Sequence, residues 1–234
     1  MNKFKHYYYN KILKESDKKQ GILTGTIELS KLYIRELPSF FKDITVYGSF
    51  NIYNNMLTSC KNFPKVNNFL NVYGNKLSSL DGIQMMPLQL DLTHNNLKSL
   101  EDLSGLDNVE SPYNKIRVCY NELESLEGIE QLHIPILSVF NNNLSTWDFM
   151  PKGLKELYIS DNKLTSWKGM PENLNTLEVF NNWDVKNLDD YMKVNDSLWL
   201  TSSTLKEQDI INIIRKMYPH YRYPDITIYT EFEQ

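Results

Sequence analysis

Seven asparagines decide what this chain can fold into. Asn55, Asn75, Asn95, Asn121, Asn142, Asn162 and Asn182 follow one another at steps of 20, 20, 26, 21, 20 and 20 residues. Each closes the same kernel: apolar, any residue, apolar, two variable residues, Asn, one variable residue, Leu. It reads FNIYNNML at Phe50, LNVYGNKL at Leu70, LDLTHNNL at Leu90, IRVCYNEL at Ile116, LSVFNNNL at Leu137 and LYISDNKL at Leu157, with a ragged LEVFNNWD at Leu177. Repetition at a fixed short period marks a chain of stacked units rather than a single closed core.

The kernel carries its own structural logic. Two apolar residues spaced by one point to the same side of an extended strand, and the following Leu continues that side after the chain turns. One such unit cannot bury its apolar edge alone. Stacking the units pairs their strands in parallel and makes one continuous core. An Asn offers both an amide donor and a carbonyl acceptor, so a ladder of Asn satisfies main-chain groups where each strand bends away. In the best-formed repeat, Asn162 holds the turn, while Leu157, Ile159, Leu164 and Trp167 belong to the core. Met170 and Pro171 then mark an extended return segment, because proline fixes its φ and donates no hydrogen bond.

The pattern resembles a leucine-rich repeat protein with short repeats of about 20 residues. Phrases such as GLKELYISDNKLTSW and GMPENLNTLEVFNN are similar to the Pro-containing repeats of bacterial type III secreted effectors. The sequence departs from that pattern where Trp147 and Trp167 replace a Leu-Pro and where the repeat after Asn95 is lengthened. Some of those effectors add a catalytic ubiquitin-ligase domain. Only about 30 residues follow the last repeat here, so that activity is not implied. The expected fold is an α/β repeat, a leucine-rich repeat solenoid with a parallel concave sheet of about nine strands, extended convex segments and helical end caps.

Terminal repeats should be atypical, since they cover the ends of the core. Residues 1–26 form an N-terminal cap in this reading, with Phe4, Tyr8 and Ile12 at helical spacing. The solenoid covers 27–203; its first unit has Leu32 and its last Ser203 where Asn is expected. Residues 204–234 form a C-terminal cap. There Thr204 and Glu207 stand in capping-box register, Ile210, Ile213, Ile214 and Met217 make one helical face, and YPDITIYTEF supplies a final edge strand. The lengthened step holds SGLDNVESPYNK, a turn-rich insertion expected to project as a loop around 104–115.

Residues flanking the apolar pair point outward on the concave side. The positions after the second apolar residue include Tyr53, Tyr73, Cys119, Phe140, Ser160 and Phe180; those between the pair include Asp91, Arg117, Ser138, Tyr158, Glu178 and Trp199. Phe69, Tyr120, Glu156 and Asp161 extend the same face. Rows of solvent-facing rings supply large contact area with few rotors, as interface centres do. The candidate partner-binding set is therefore Tyr53, Phe69, Tyr73, Asp91, Arg117, Tyr120, Phe140, Tyr158, Glu178, Phe180 and Trp199. Acidic residues gather toward its C-terminal half.

The chain has a formal net charge of -4, which disfavours nucleic acid as partner, since a phosphate-backbone binder normally needs a basic face. No segment has the length of apolar sequence that spans a bilayer, and MNKFKHYYYNKILKES lacks the apolar stretch of a secretion signal. Cys60 and Cys119 occupy different offsets and are expected to stay apart and reduced, which agrees with a cytoplasmic setting, that of a host cell included. His6, His94, His133 and His220 show no metal-ligand spacing, no phosphate loop or nucleophile elbow is present, and no cofactor is implied. The expected function is a non-enzymatic capture of another protein. Two alternatives stand beside it: an enzyme using Cys119, taken as an exposed thiol, or His94 on the concave face, and a structural subunit that self-associates.

Overall fold

The computed structural model describes residues 3–18, 20–182, 197–201 and 225–229. An α-helix, α1 (Lys3–Lys18), precedes a run of parallel strands: β1 (Ile22–Glu28), β2 (Thr45–Asn51), β3 (Lys65–Val66), β4 (Phe69–Asn71), β5 (Gln89–Asp91), β6 (Lys115–Arg117), β7 (Ile136–Ser138), β8 (Glu156–Tyr158), β9 (Thr176–Glu178), β10 (Ser197–Thr201) and β11 (Asp225–Tyr229). All lie in one sheet in chain order, except that β3 branches off β2 beside β4. Among the described residues the sheet has eleven strands. The nine kernels each supply one; the two-residue β3 and the last strand β11 make up the rest.

The apolar kernel residues stay in step throughout. Phe50 pairs with Leu70, Leu70 with Leu90, Leu90 with Ile116, Ile116 with Leu137, Leu137 with Leu157, and Leu157 with Leu177. Their burial, with that of Leu57, Leu77, Leu97, Leu123, Leu144 and Leu164 after the first six ladder Asn residues, makes one continuous core. Trp147 and Trp167, which take the place of shorter side chains, are both buried and stack at 6.1 Å with 19° between their planes.

The Asn ladder binds adjacent units together. The side-chain oxygen of Asn142 accepts from the Leu123 amide at 3.0 Å, while its nitrogen donates to the Val118 carbonyl at 2.9 Å and to the Val139 carbonyl at 3.0 Å. Asn55, Asn75, Asn95, Asn121, Asn162 and Asn182 repeat the arrangement. Even the atypical Leu32 takes part, its amide donating to Asn55. Immediately before each ladder Asn the chain turns through the left-handed region. Asn54, Gly74, His94, Tyr120, Asn141, Asp161 and Asn181 have φ between 50° and 64°. Asn and Gly tolerate that conformation; His and Tyr enter it at a cost on the order of 1 kcal/mol.

At the N-terminal end α1 docks through Ile12 and through Tyr9, whose ring meets Phe41 edge-on at 5.6 Å. Phe41 continues the contact to Phe50 and Phe63. Tyr8, expected on the inward face, is instead exposed and packs against Tyr7. Tyr9 lies three residues before Ile12 and reaches Phe41 from the same side of the helix. The side chain of Phe4 lies outside the described residues, as do the expected helix following Thr204 and Ser203. In the final pair β11 lies parallel to β10, with Leu198 opposite Ile226.

Candidate protein-interaction face

Strand alternation turns three columns of residues away from the core: one before the first apolar residue, one between the pair and one after it. The turn residue in left-handed conformation adds a fourth. Across these columns the rings form a connected row. Tyr73 meets His94 edge-on at 5.2 Å, His94 stacks on Tyr120 at 4.2 Å with 7° between planes, and Tyr120 meets Phe140 edge-on at 5.3 Å. The row crosses four consecutive units. Tyr120 keeps 43% of its surface exposed, His94 is exposed, and Tyr73 and Phe140 are half-buried.

Backbone geometry explains how the row forms. The His94 amide donates to the Cys119 carbonyl and the Tyr120 amide to the Phe140 carbonyl, so the ladder of main-chain bonds continues through the turn. The left-handed φ at His94 and Tyr120 lets both rings project beside Tyr73 and Phe140, which follow β4 and β7. Ring contacts of this geometry contribute about 0.5–1.5 kcal/mol each, enough to offset the backbone cost.

Charge divides the same face into zones. In the middle, Arg117 approaches Asp91 at 3.8 Å, and Lys115 stands beside them. Burial, and then the neighbouring Arg117 charge, holds the Lys115 ammonium below its ordinary pKa. Toward the C-terminal side the carboxylates are tethered. The Tyr158 hydroxyl donates to Glu156 at 3.1 Å, Ser160 donates to Glu178 at 3.1 Å, and Asn181 donates to Asp161 at 2.9 Å. Burial first, then Glu156, pushes the Tyr158 phenol up to about 12.

The structure thus joins Tyr73, Tyr120 and Phe140 through His94, sets Asp91 against Arg117, and pairs Tyr158 in register with Glu178. Tyr53 stands apart, with the Lys31 ammonium 5.6 Å over its ring. Phe69 is half-buried on β4, and Phe180 is half-buried after β9, its amide donating to Ser160. Trp199 occupies β10 opposite Glu178, and its side chain lies outside the described residues. The residue that the outward-column reading passed over is His94, which it weighed only as a catalytic group. Its signal was position: it precedes a ladder Asn, where the chain bends outward.

Cys119 requires a correction. It occupies an outward column yet is buried, not exposed. Loss of solvation pushes its thiol up to about 12. The thiol sits against the Thr93 side chain and the Phe140 backbone of the neighbouring units. Cys60 is also buried, and both cysteines are free. Among the described residues no three His, Cys, Asp or Glu side chains come together as a metal site, and no helix is long and apolar enough to cross a membrane.

In-register parallel strands, a leucine core and an unbroken Asn ladder define the fold as a leucine-rich repeat solenoid. Among solved structures it resembles internalin C2 from Listeria monocytogenes, with a TM-score of 0.55 and 19% sequence identity over 75% of this chain and 80% of that one. No family model and no curated protein matches the sequence.

Proposed function

We propose that the open face of the sheet captures another protein and acts by occupying its surface, as an inhibitor or a scaffold, without chemistry of its own. The observation that carries this reading is the row Tyr73, His94, Tyr120 and Phe140. Rings already packed on one another lose little freedom when a partner covers them, and such rigid aromatic centres supply most of the energy of protein interfaces. Charged groups beside the row, Asp91, Lys115 and Arg117, and the carboxylates toward its C-terminal side give a rim that selects among partners. An interface of roughly 1,600 Å² is of the size that a face of this many strands accommodates. The effector-like repeats favour a host protein in the host cytoplasm as the target.

The test is a protein carrying Tyr73→Ala, Phe140→Ala and Phe180→Ala together, compared with wild type in affinity capture from host-cell lysate. Captured partners should bind it at least about a hundredfold more weakly, while circular dichroism and the melting profile show the fold intact. Undiminished capture by the folded triple variant would refute the assignment of this face.

A further inference from the structure

We propose that the cleft beside the lengthened repeat is a second protein-binding site, which takes a short partner segment carrying a bulky apolar side chain next to a lysine or arginine. The cleft has a volume of about 480 Å³, within the range of sites that hold small ligands. Leu103, Leu106 and Leu132 form its apolar back, and Asp107, Glu110 and Glu130 stand along its walls. Its residues come from the insertion and the return segments of the following units. None belongs to the outward columns of the aromatic face.

One wall is built rather than loose. The Asn108 side chain donates to the His133 carbonyl at 2.8 Å and accepts from the His133 amide at 3.0 Å, a reciprocal pair that imitates a strand contact. Asn114, at the other foot of the loop, donates to the same carbonyl at 3.0 Å and to Val109 within the loop. A wall fixed in this way costs little ordering on binding. Between the braced feet the loop exposes Val109 at 76% and Tyr113 at 71%. Scattered apolar residues on a surface are ordinary, but Val109 lies between Asn108 and Glu110, both of which line the cleft.

Charge selects the occupant. Three carboxylates face the cleft against one lysine, Lys152, whose ammonium is hydrogen-bonded to Gln131 at 2.7 Å. Glu110 lies 3.8 Å from the His133 ring, and Glu130 accepts from the Gly128 amide. An apolar back with an acidic rim complements an aliphatic side chain flanked by cations.

The probe is a capped peptide, Gly-Lys-Leu-Lys-Gly, titrated into the full-length protein while amide NMR signals are followed. Its counterparts replace Leu by Ala or both Lys by Glu. The first peptide should shift the amides of Gly105, Gly128 and His133 at millimolar concentration, and both counterparts should bind at least about tenfold more weakly. Asp107→Lys with Glu110→Lys should weaken the first peptide by a similar factor; the Glu110 side chain is 82% exposed, so this surface change spares the core. The Tyr73, Phe140 and Phe180 triple variant should respond as wild type does. Absence of shifts at those three amides, equal shifts from all three peptides, or an undiminished response in the charge-reversed protein would each overturn the proposal. The peptide series decides the matter by itself if the reversed protein misfolds.

Discussion

The unit from Asn75 to Asn95 and the unit from Asn95 to Asn121 differ in length by six residues, yet they join their neighbours through the same bonds. In the shorter one, Asn95 accepts from the Leu77 amide at 2.9 Å and donates to the Val72 carbonyl at 3.1 Å and the Leu92 carbonyl at 2.9 Å. In the longer one, Asn121 accepts from Leu97 at 3.0 Å and donates to Leu92 at 3.1 Å and Val118 at 3.2 Å. Strand register also carries through, Leu70 to Leu90 to Ile116. The additional residues all fall on the segment that leads into the strand. Loop length is thermodynamically cheap there, because closure entropy grows only with the logarithm of length. The period is thus fixed at the end of each strand and free at its beginning.

The sharpest way to break this comparison is to remove the ladder in both units. Asn142→Ala, in a regular repeat, leaves the buried Leu123 amide without its partner, at about 1–3 kcal/mol, and takes one of two donors from the Val118 and Val139 carbonyls, which keep Asn121 and Asn162, at about 1 kcal/mol each. A loss of about 4 kcal/mol is expected, read from the denaturant midpoint at unchanged slope. Asn121→Ala should cost about the same. A much smaller loss at Asn121, or a lower slope, would mean that the lengthened repeat is a seam at which the array uncouples.

A smaller effect separates the two cysteines from their surroundings. Cys119 follows the strand of the lengthened unit and Cys60 lies in a regular one, and both are buried. Burial raises both thiols above their ordinary value of 9.0, Cys119 to about 12. A thiol raised on folding stays neutral in the native protein while the unfolded chain ionises. Its contribution is therefore complete below 9.0 and declines as pH rises from there toward the folded value. By about pH 10 the loss should be on the order of 1 kcal/mol for each thiol. Stability of Cys60→Ala and Cys119→Ala proteins, measured by urea melts at rising pH, should fall less steeply than that of wild type. An equal slope for the Cys119 variant would show that its thiol reaches solvent.

Much of this was legible from residue spacing, and the rest was not for reasons that can be named. The ladder positions, the core Leu and Trp167, and the direction of each strand residue follow from a period of two within a period of twenty. Depth within the face does not. Cys119, Ser138 and Ser160 occupy outward columns yet are buried, and the contacts of Cys119 with Thr93 and of Ser160 with Glu178 come from units to either side. Spacing within a single unit carries no information about that. His94 escaped as an interface ring for a different reason: it stands at the turn position before a ladder Asn, filled elsewhere by Asn, Gly, Asp or Tyr, outside the three columns that strand alternation defines. The ring row exists because two adjacent units place a ring, His94 and Tyr120, at that turn.

The smallest expected effect tests whether the free end of the repeat is as independent as the comparison implies. Asn108 belongs to the insertion, and both of its side-chain hydrogen bonds go to His133, in the return segment of the next unit. Asn108→Ala removes them from a half-buried site where water can take their place, so the loss should be about 1 kcal/mol and confined to the loop. Exchange of the His133 amide should then quicken about fivefold, while the amides of Leu97 and Leu123, held by the Asn ladder, keep their wild-type rates. The global denaturant midpoint should hardly move. A global loss approaching that of Asn142→Ala would show that the insertion supports the stack, and that strand beginnings constrain the period as strongly as strand ends do.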